Sequence, residues 1–205
     1  MELPKKDKEG NNYVSYSQIS LFKRSQKEYY ENYIIGKPFE GNAYTDFGSK
    51  VGFSLENNNF DLFTKKEQKT LKKVNRLDEF ERKVFLNYED FYVLGFIDTN
   101  TKDCLEIKDY KTGGNNKEFQ YLEPNYTQLH LYALALKQET GITPTKATVE
   151  FIRRSGNAFK GEMLTVANEE PIILNIDISE NRLKQVYWDT LNTVKQIEEF
   201  YKKHK

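Results

Sequence analysis

The chain has 205 residues, enough for a domain with its own hydrophobic core, and its 31 basic and 31 acidic residues give no net charge that would attract nucleic acid. A single cysteine excludes an internal disulfide. No apolar segment has the length of a signal sequence or a membrane span, so we expect a cytoplasmic protein that does not enter membranes.

The first third of the chain predicts two helices. Residues 1–13 are charged and contain glycine and asparagine, so we expect a mobile lead-in. Ser15 and Gln18 have the spacing of a capping box, and the helix that they start is predicted to end near Gly36. Apolar residues four apart predict a second helix over 44–56.

Two glycines lie one turn apart in the second predicted helix, at Gly48 and Gly52. Each glycine lowers helix stability by about 1 kcal/mol relative to alanine. Because a glycine has no side chain, both positions would let another backbone or a phosphate come close.

The remaining elements alternate in type. We predict a basic helix from Thr64 to about Asn75, strands over 80–88, 93–98 and 104–111, a helix from Pro124 to Gly141, a strand over 147–153, a hairpin over 161–167 and 172–178, and a C-terminal helix over 179–203. The resulting order of helix, three strands, helix and strand predicts an α/β (α+β) fold with an αβββαβ core.

The predicted hairpin carries two carboxylates and a lysine. A period of two places Leu105, Ile107, Asp109 and Lys111 on one face of its second strand, the face that we expect to meet the core. In the first strand, Asp98 shares a face with Phe96. If the hairpin pairs in simple register, Asp98 and Asp109 converge near one rim. The alternative is that both aspartates cap turns and Lys111 is a solvated strand end.

A pair of buried carboxylates requires a positive partner, and a divalent cation is a common one. The side chains of Asp98 and Asp109 and the carbonyl oxygen of Tyr110 are hard oxygen ligands, which suit Mg²⁺ or Mn²⁺. The hairpin therefore predicts a metal site with Lys111 beside it.

At this point the sequence resembles a known family. The segments Gly95-Phe-Ile-Asp98 and Ile107-Lys-Asp109-Tyr-Lys111-Thr-Gly resemble the metal-binding core of the PD-(D/E)XK nuclease superfamily, in its RecB-like and phage-exonuclease branch. Three further segments resemble motifs of that branch, in the same order along the chain: 15–30 its opening helix, 47–56 its upstream helix, and 126–133 its helical Gln-x-x-x-Tyr motif.

The resemblance implies a restriction-endonuclease-like mixed sheet flanked by helices, in a single nuclease domain over 1–205. It implies a metal-dependent DNA nuclease, with exonuclease activity in recombination, repair or phage DNA processing. A helicase or recombination protein is a candidate partner, and a phage-encoded protein would act in the host cytoplasm. The implied catalytic residues are Asp98, Asp109, Lys111 and Gln128, and the implied DNA contacts are Tyr132, Gly48, Gly52 and Thr112. His130 points elsewhere on its helix, and we expect a structural role for it.

Two positions depart from the family pattern. Relatives commonly have a histidine ligand where this chain has Gly52, and Glu56, one turn further along, is a candidate replacement. Glu56 could equally cap or solvate the helix end. Ser25 stands where some relatives have a cysteine, and no C-terminal cysteine cluster follows, so no iron–sulfur cluster is expected. The alternatives to an independent nuclease are a DNA-binding module with a weakened site and a subunit active only in a larger complex.

Overall fold

The structure is a computed structural model that describes residues 1–38 and 40–205. Its helices are α1 (Tyr16–Arg24), α2 (Gln26–Tyr29), α3 (Ala43–Asn57), α4 (Lys65–Leu71), α5 (Gln128–Thr140) and α6 (Glu180–His204). Its strands are β1 (Tyr13–Ser15), β2 (Glu79–Asn87), β3 (Tyr92–Asn100), β4 (Glu106–Gly113), β5 (Lys146–Ser155), β6 (Thr165–Val166) and β7 (Ile172–Asn175). A π-helical turn covers Tyr30–Ile34, and 3₁₀ turns cover Glu118–Leu122 and Ala158–Lys160.

In the described part of the chain, seven strands form one mixed sheet. The strands β2, β3 and β4 follow one another in antiparallel pairs, and β4 then pairs in parallel with β5 after the crossover through α5. Strand β1 runs parallel to β3 and pairs with its first three residues. The order α3, β2, β3, β4, α5, β5 is the predicted αβββαβ core, so the predicted fold class is confirmed.

Helices cover the sheet on both faces, and β5 shows this directly. Val149 belongs to a large apolar cluster that includes residues of α1, α5 and α6. Ile152, three residues further along, belongs to a second cluster with Phe47 and Val51 of α3 and Leu71 of α4. Because residues an odd number apart point to opposite faces of a strand, the two clusters lie on the two sides of the sheet.

The C-terminal helix α6 is amphipathic, as predicted. Its buried residues include Leu183, Val186, Val194 and Ile197, at the spacing of one helical face, and these residues join the large cluster. Among residues 1–38 and 40–205, none of the helices combines the length and the hydrophobicity that a membrane span requires.

Two helices are shorter than predicted, since α4 ends at Leu71 and α5 begins at Gln128, and two further predicted elements differ in arrangement. The first helix is interrupted at Ser25, whose extended backbone ends α1 and whose hydroxyl accepts a hydrogen bond from Glu28 N–H at the start of α2. The strands predicted as a C-terminal hairpin do form, but β6 and β7 each pair with β5. Pairing with a long buried strand satisfies their backbone groups and covers their apolar residues at once.

The first twelve residues pack against the body of the protein. Leu3 is buried, and the side chain of Asn12 accepts a hydrogen bond from the Leu3 N–H group and donates one to the Met1 carbonyl. The backbone of Lys6 bridges to Asn12. Composition alone, from which we expected a mobile lead-in, does not reveal these contacts.

Candidate active site

The sheet opens where the two predicted aspartates lie. The strands β3 and β4 pair at Asn100↔Ile107 and Thr99↔Lys108, and their pairing ends there. Continuing this register, Asp98 and Asp109 are the next facing residues. The N–H group of Tyr110 donates a hydrogen bond of 2.7 Å to Oδ2 of Asp98. The Asp98 carboxylate thus bridges the two strands at the position where they separate.

A third acid, Glu81, lies at the same break in the sheet and was not predicted. Strand β2 pairs with β3 at Phe80↔Thr99 and at Arg82↔Ile97 but not between these two positions. In this register, Glu81 faces Asp98. Glu81 has a backbone φ of 50°, which is strained for a residue with a side chain. Such strain is common at functional sites. The available sequence signal was the register: Glu81 lies in the predicted strand next to the hairpin.

Asp109 is fully buried, and its two oxygens differ. Oδ2 lies 2.6 Å from the Lys111 Nζ atom and accepts a hydrogen bond of 3.1 Å from the Tyr126 hydroxyl group. Oδ1 has no hydrogen-bond partner within the described residues. Burying a carboxylate oxygen without a partner costs free energy, so this atom is available to coordinate a cation.

The electrostatics favour a cation. Burial and the neighbouring Asp109 carboxylate raise the pKa of Asp98 to about 8. Burial, with the charges of Glu56 and Asp109, also raises the pKa of Glu81. Burial alone would lower the pKa of Lys111, but the charges of Asp109 and Asp98 outweigh it and raise that pKa above its ordinary value. One lysine therefore faces several acids, and a divalent cation would stabilise their ionised forms.

The donor set fits a hard cation, with two aspartates at its centre. Asp98 and Asp109 supply carboxylate oxygens, and Oδ1 of Asp109, which has no partner in the described residues, could coordinate a cation. Among residues 1–38 and 40–205, no group of three His, Cys, Asp or Glu side chains is close enough to hold a metal ion. A bound ion would therefore need further oxygen ligands from the backbone, from water or from a substrate phosphate, as is common for Mg²⁺.

A cleft of about 510 Å³ leads to this site between α3 and the three strands β2, β3 and β4. It is lined by the predicted residues Gly48, Gly52, Glu56, Asp98, Tyr110, Lys111 and Thr112, together with Glu81. A Cβ atom at Gly52 would meet no described atom within 4 Å. Packing therefore does not require glycine at this position, and its absent side chain leaves the cleft wider.

A family model matches most of the chain. The family model described as the PD-(D/E)XK nuclease superfamily matches residues 55–200, which include both aspartates and Lys111. The chain belongs to the PD-(D/E)XK nuclease superfamily.

A similar fold occurs in the crystal structure of a protein from Eubacterium rectale described as "Putative exonuclease". The TM-score is 0.61 at 13% sequence identity, over 95% of this chain and 83% of that one. No curated protein matches the sequence. Nucleases of this superfamily generally use divalent metal ions, which agrees with the oxygen donors described above.

The Gln-x-x-x-Tyr motif lies on α5, and its tyrosine packs against the sheet. The Gln128 amide donates a hydrogen bond of 2.9 Å to the Tyr132 hydroxyl group. The Tyr132 ring is only 6% exposed and lies over Gly95, where an added Cβ atom would come within 2.3 Å of the ring. The predicted DNA contact of Tyr132 is therefore not supported, because its ring belongs to the core.

His130 has the structural position that was expected. It is buried on α5, and its Nε2 atom lies 2.9 Å from the carbonyl oxygen of Asp177. Burial, and secondarily the charge of Arg182, lowers the pKa of His130 to about 4. The ring is therefore neutral at physiological pH.

Proposed function

We propose that this protein is a metal-dependent DNA nuclease that hydrolyses phosphodiester bonds with Asp98, Asp109 and Lys111. The observation that carries the proposal is the pair of facing aspartates at the opening between β3 and β4, with Lys111 Nζ 2.6 Å from Asp109. The unpartnered Oδ1 of Asp109 supports a cation site, for which Mg²⁺ or Mn²⁺ suits the oxygen donors. The Tyr110 carbonyl and Glu56 are further candidate ligands.

Each residue has a proposed task. A bound divalent cation supplies positive charge to the phosphate and lowers the pKa of water. Lys111 is cationic because of its two aspartate neighbours, which supports a contact with the scissile phosphate more than a role as general base. Tyr126 holds Asp109 in position through its hydroxyl group. Gln128 positions Tyr132 and, through it, the strand at Gly95.

The cleft supports an approach of the DNA backbone along α3. Gly48, Gly52 and Thr112 line the cleft together with Asp98. Because neither glycine has a side chain, a phosphate could come close to the helix there. We assign these three positions to backbone contacts with DNA.

The exonuclease activity is the finer part of the proposal. It is supported by the resemblance of the hairpin motifs to the phage-exonuclease branch and by the printed name of the similar structure from Eubacterium rectale. The same resemblance supports a role in DNA recombination, repair or phage DNA processing, with a helicase or recombination protein as the candidate partner.

One observation favours a second candidate, a DNA-binding module with a weakened site. Gly52 stands where relatives commonly have a histidine ligand, and no third acidic, histidine or cysteine side chain joins the two aspartates within metal-holding distance in the described residues. A site with two side-chain ligands would bind the cation weakly and cut slowly.

The deciding experiment is incubation of the purified protein with linear and closed circular DNA in Mg²⁺, in Mn²⁺ and in EDTA. An exonuclease degrades the linear form only, and only with a metal. Degradation of both forms would indicate an endonuclease. Binding to DNA without cleavage in either metal would favour the weakened module.

A further inference from the structure

A second cavity adjoins the active site on another side of Lys111. It has a volume of about 420 Å³ and is lined by Tyr16, Ser20, Tyr121, Asn125, Tyr126 and Gln128. We call it the tyrosine pocket. Lys111 borders both this pocket and the cleft below α3. A phosphate held at Lys111 would therefore have one neighbouring nucleotide at the mouth of the tyrosine pocket.

The walls of the tyrosine pocket are aromatic and are braced against one another. The rings of Tyr16 and Tyr121 both stand edge-on to the ring of Tyr126, with centroids 5.9 Å and 5.2 Å away and interplanar angles of 84° and 78°. Tyr126 is itself fixed by its hydrogen bond to Asp109. The pocket therefore keeps a fixed position relative to the proposed catalytic carboxylate.

Tyr16 and Tyr121 keep part of their surface accessible. Burial raises the pKa of both phenols, so both remain uncharged at neutral pH. Neutral aromatic rings that are partly accessible are suitable platforms for the π-face of a base.

The polar groups of the pocket match a base better than a phosphate. Asn125 and Gln128 contribute side-chain amides and Ser20 contributes a hydroxyl group, all of which can both donate and accept hydrogen bonds. Glu123 adds a carboxylate to the wall, which would repel a second phosphate. The volume lies within the range of small-molecule sites and is sufficient for one nucleoside.

We propose that the tyrosine pocket binds the unpaired base of the nucleotide adjacent to the phosphate at Lys111. This inference rests on the proposed nuclease function and adds the substrate class: a strand whose end is single-stranded at the site of cleavage. A base within a duplex is paired and stacked between its neighbours, so it cannot enter a pocket of this kind without leaving the helix.

Abasic scanning of a single strand tests the proposal by binding alone. A set of fluorescein-labelled 12-nucleotide oligonucleotides carries one abasic site each, at successive positions, and their affinities are measured by anisotropy with Ca²⁺ in place of Mg²⁺. Base–aromatic stacking corresponds to about a fivefold or greater change in affinity per base. We expect a loss of that size at one position for the wild-type protein, with smaller losses elsewhere.

Tyrosine variants connect that position to the pocket. In Tyr16→Leu and Tyr121→Leu the loss at the sensitive position should disappear, so that the intact and abasic strands bind equally. Tyr121→Phe, which keeps the ring, should retain it. Tyr201→Leu on α6, outside both cavities, is the matched control and should behave as wild type. Thermal melts identify a variant that fails to fold, in which case the other leucine variant decides.

The two possible failures are distinguishable. Equal affinity for all abasic strands, in a wild-type protein that cleaves DNA, would overturn the base pocket and leave the nuclease proposal intact. A sensitive position that persists unchanged in both leucine variants would also overturn the pocket. A protein that neither binds nor cleaves DNA would contradict the proposed function and this inference together.

Discussion

The hydroxyl group of Tyr126 donates a hydrogen bond of 3.1 Å to Oδ2 of Asp109, and both residues are buried. The same oxygen is paired with Lys111, whereas Oδ1 is unpartnered in the described residues. One oxygen of the carboxylate is therefore held by Tyr126 and Lys111, and the other oxygen is available to a cation. Because Tyr126 also forms a wall of the tyrosine pocket, this hydrogen bond joins the proposed metal site to the proposed substrate site.

Lys111→Ala should lose catalysis but keep metal binding. Loss of a group that stabilises charge in the transition state typically lowers kcat about 100-fold or more. The affinity for Mn²⁺ should stay the same or rise, because Lys111 no longer competes for Oδ2 of Asp109. Calorimetric titration of Mn²⁺ into both proteins measures this. A loss of affinity as large as that of Asp109→Ala would show that the lysine organises the metal site.

Glu56→Gln should raise the Mg²⁺ concentration needed for half-maximal cleavage, because it removes a candidate oxygen ligand from the cleft. Gly52→His in the same protein should restore part of the loss. The position has room for a Cβ atom, and the imidazole would occupy the place of the family ligand.

The matched comparison is Glu81→Gln, which removes an acid from the same cleft but from β2. If the acids act only through their charge, Glu56→Gln and Glu81→Gln should shift the Mg²⁺ requirement equally. A larger shift for Glu56→Gln identifies it as a ligand. An unchanged requirement in Glu56→Gln would leave Asp98 and Asp109 as the only side-chain ligands and would favour the weakened module.

Removal of one partner of the buried ion pair between Lys108 and Glu150 should destabilise the fold more than removal of both. Both side chains are almost completely buried, and together with the Asn75 backbone they form a closed hydrogen-bonded group. Lys108→Met leaves Glu150 charged and unpaired, which should lower the free energy of unfolding by about 3–5 kcal/mol. The double variant Lys108→Met with Glu150→Leu should recover most of this. Urea denaturation measures both, and a double variant as unstable as the single one would contradict the prediction.

His130 should make the protein less stable in mild acid. Its pKa is about 4 in the folded protein and 6.5 in the unfolded chain. Between these values the unfolded chain binds a proton that the folded protein does not, so the free energy of unfolding falls as the pH falls from 6.5 towards 4. The slope from this group is at most about 1.4 kcal/mol per pH unit.

The control for that prediction is His130→Gln, which keeps a donor for the Asp177 carbonyl but does not titrate. Urea denaturation at pH 7.5 and pH 5 gives the stability change of each protein. Carboxylates also titrate in this range, so the difference between the two proteins is the relevant quantity. Equal pH dependence would mean that His130 is accessible to protons in the folded state.

The parts of the fold that depend on local patterns were predictable. The capping box of Thr64 and Glu67 forms in both directions at the start of α4, and Gly141 ends α5 with a φ of 77°. These features are set by residues within a few positions of one another. The facing of Asp98 and Asp109 was predictable for the same reason, because a short hairpin fixes the register.

Features that depend on distant partners were not predictable. Lys108 alternates with core residues along β4, so the period of two places it on the face opposite to the core. Lys108 is nevertheless buried, because Glu150 and the Asn75 carbonyl are its partners. Phe96 is exposed, whereas its neighbour Ile97 on the opposite face of the strand is buried. The strained backbone of Glu81 lies at a gap in the pairing of β2 with β3. The local sequence does not indicate this gap, because it depends on the partner strand.

The central claim is that Asp98 and Asp109 form the metal-dependent site of a nuclease. Its most direct test is cleavage of an end-labelled linear DNA by wild type, Asp98→Asn and Asp109→Asn, purified in parallel and titrated with Mg²⁺. Circular dichroism should show that all three are folded. We predict cleavage by the wild-type protein that EDTA abolishes, and at least a 100-fold loss in each variant. Equal Mg²⁺-dependent cleavage by wild type and Asp109→Asn would contradict the account.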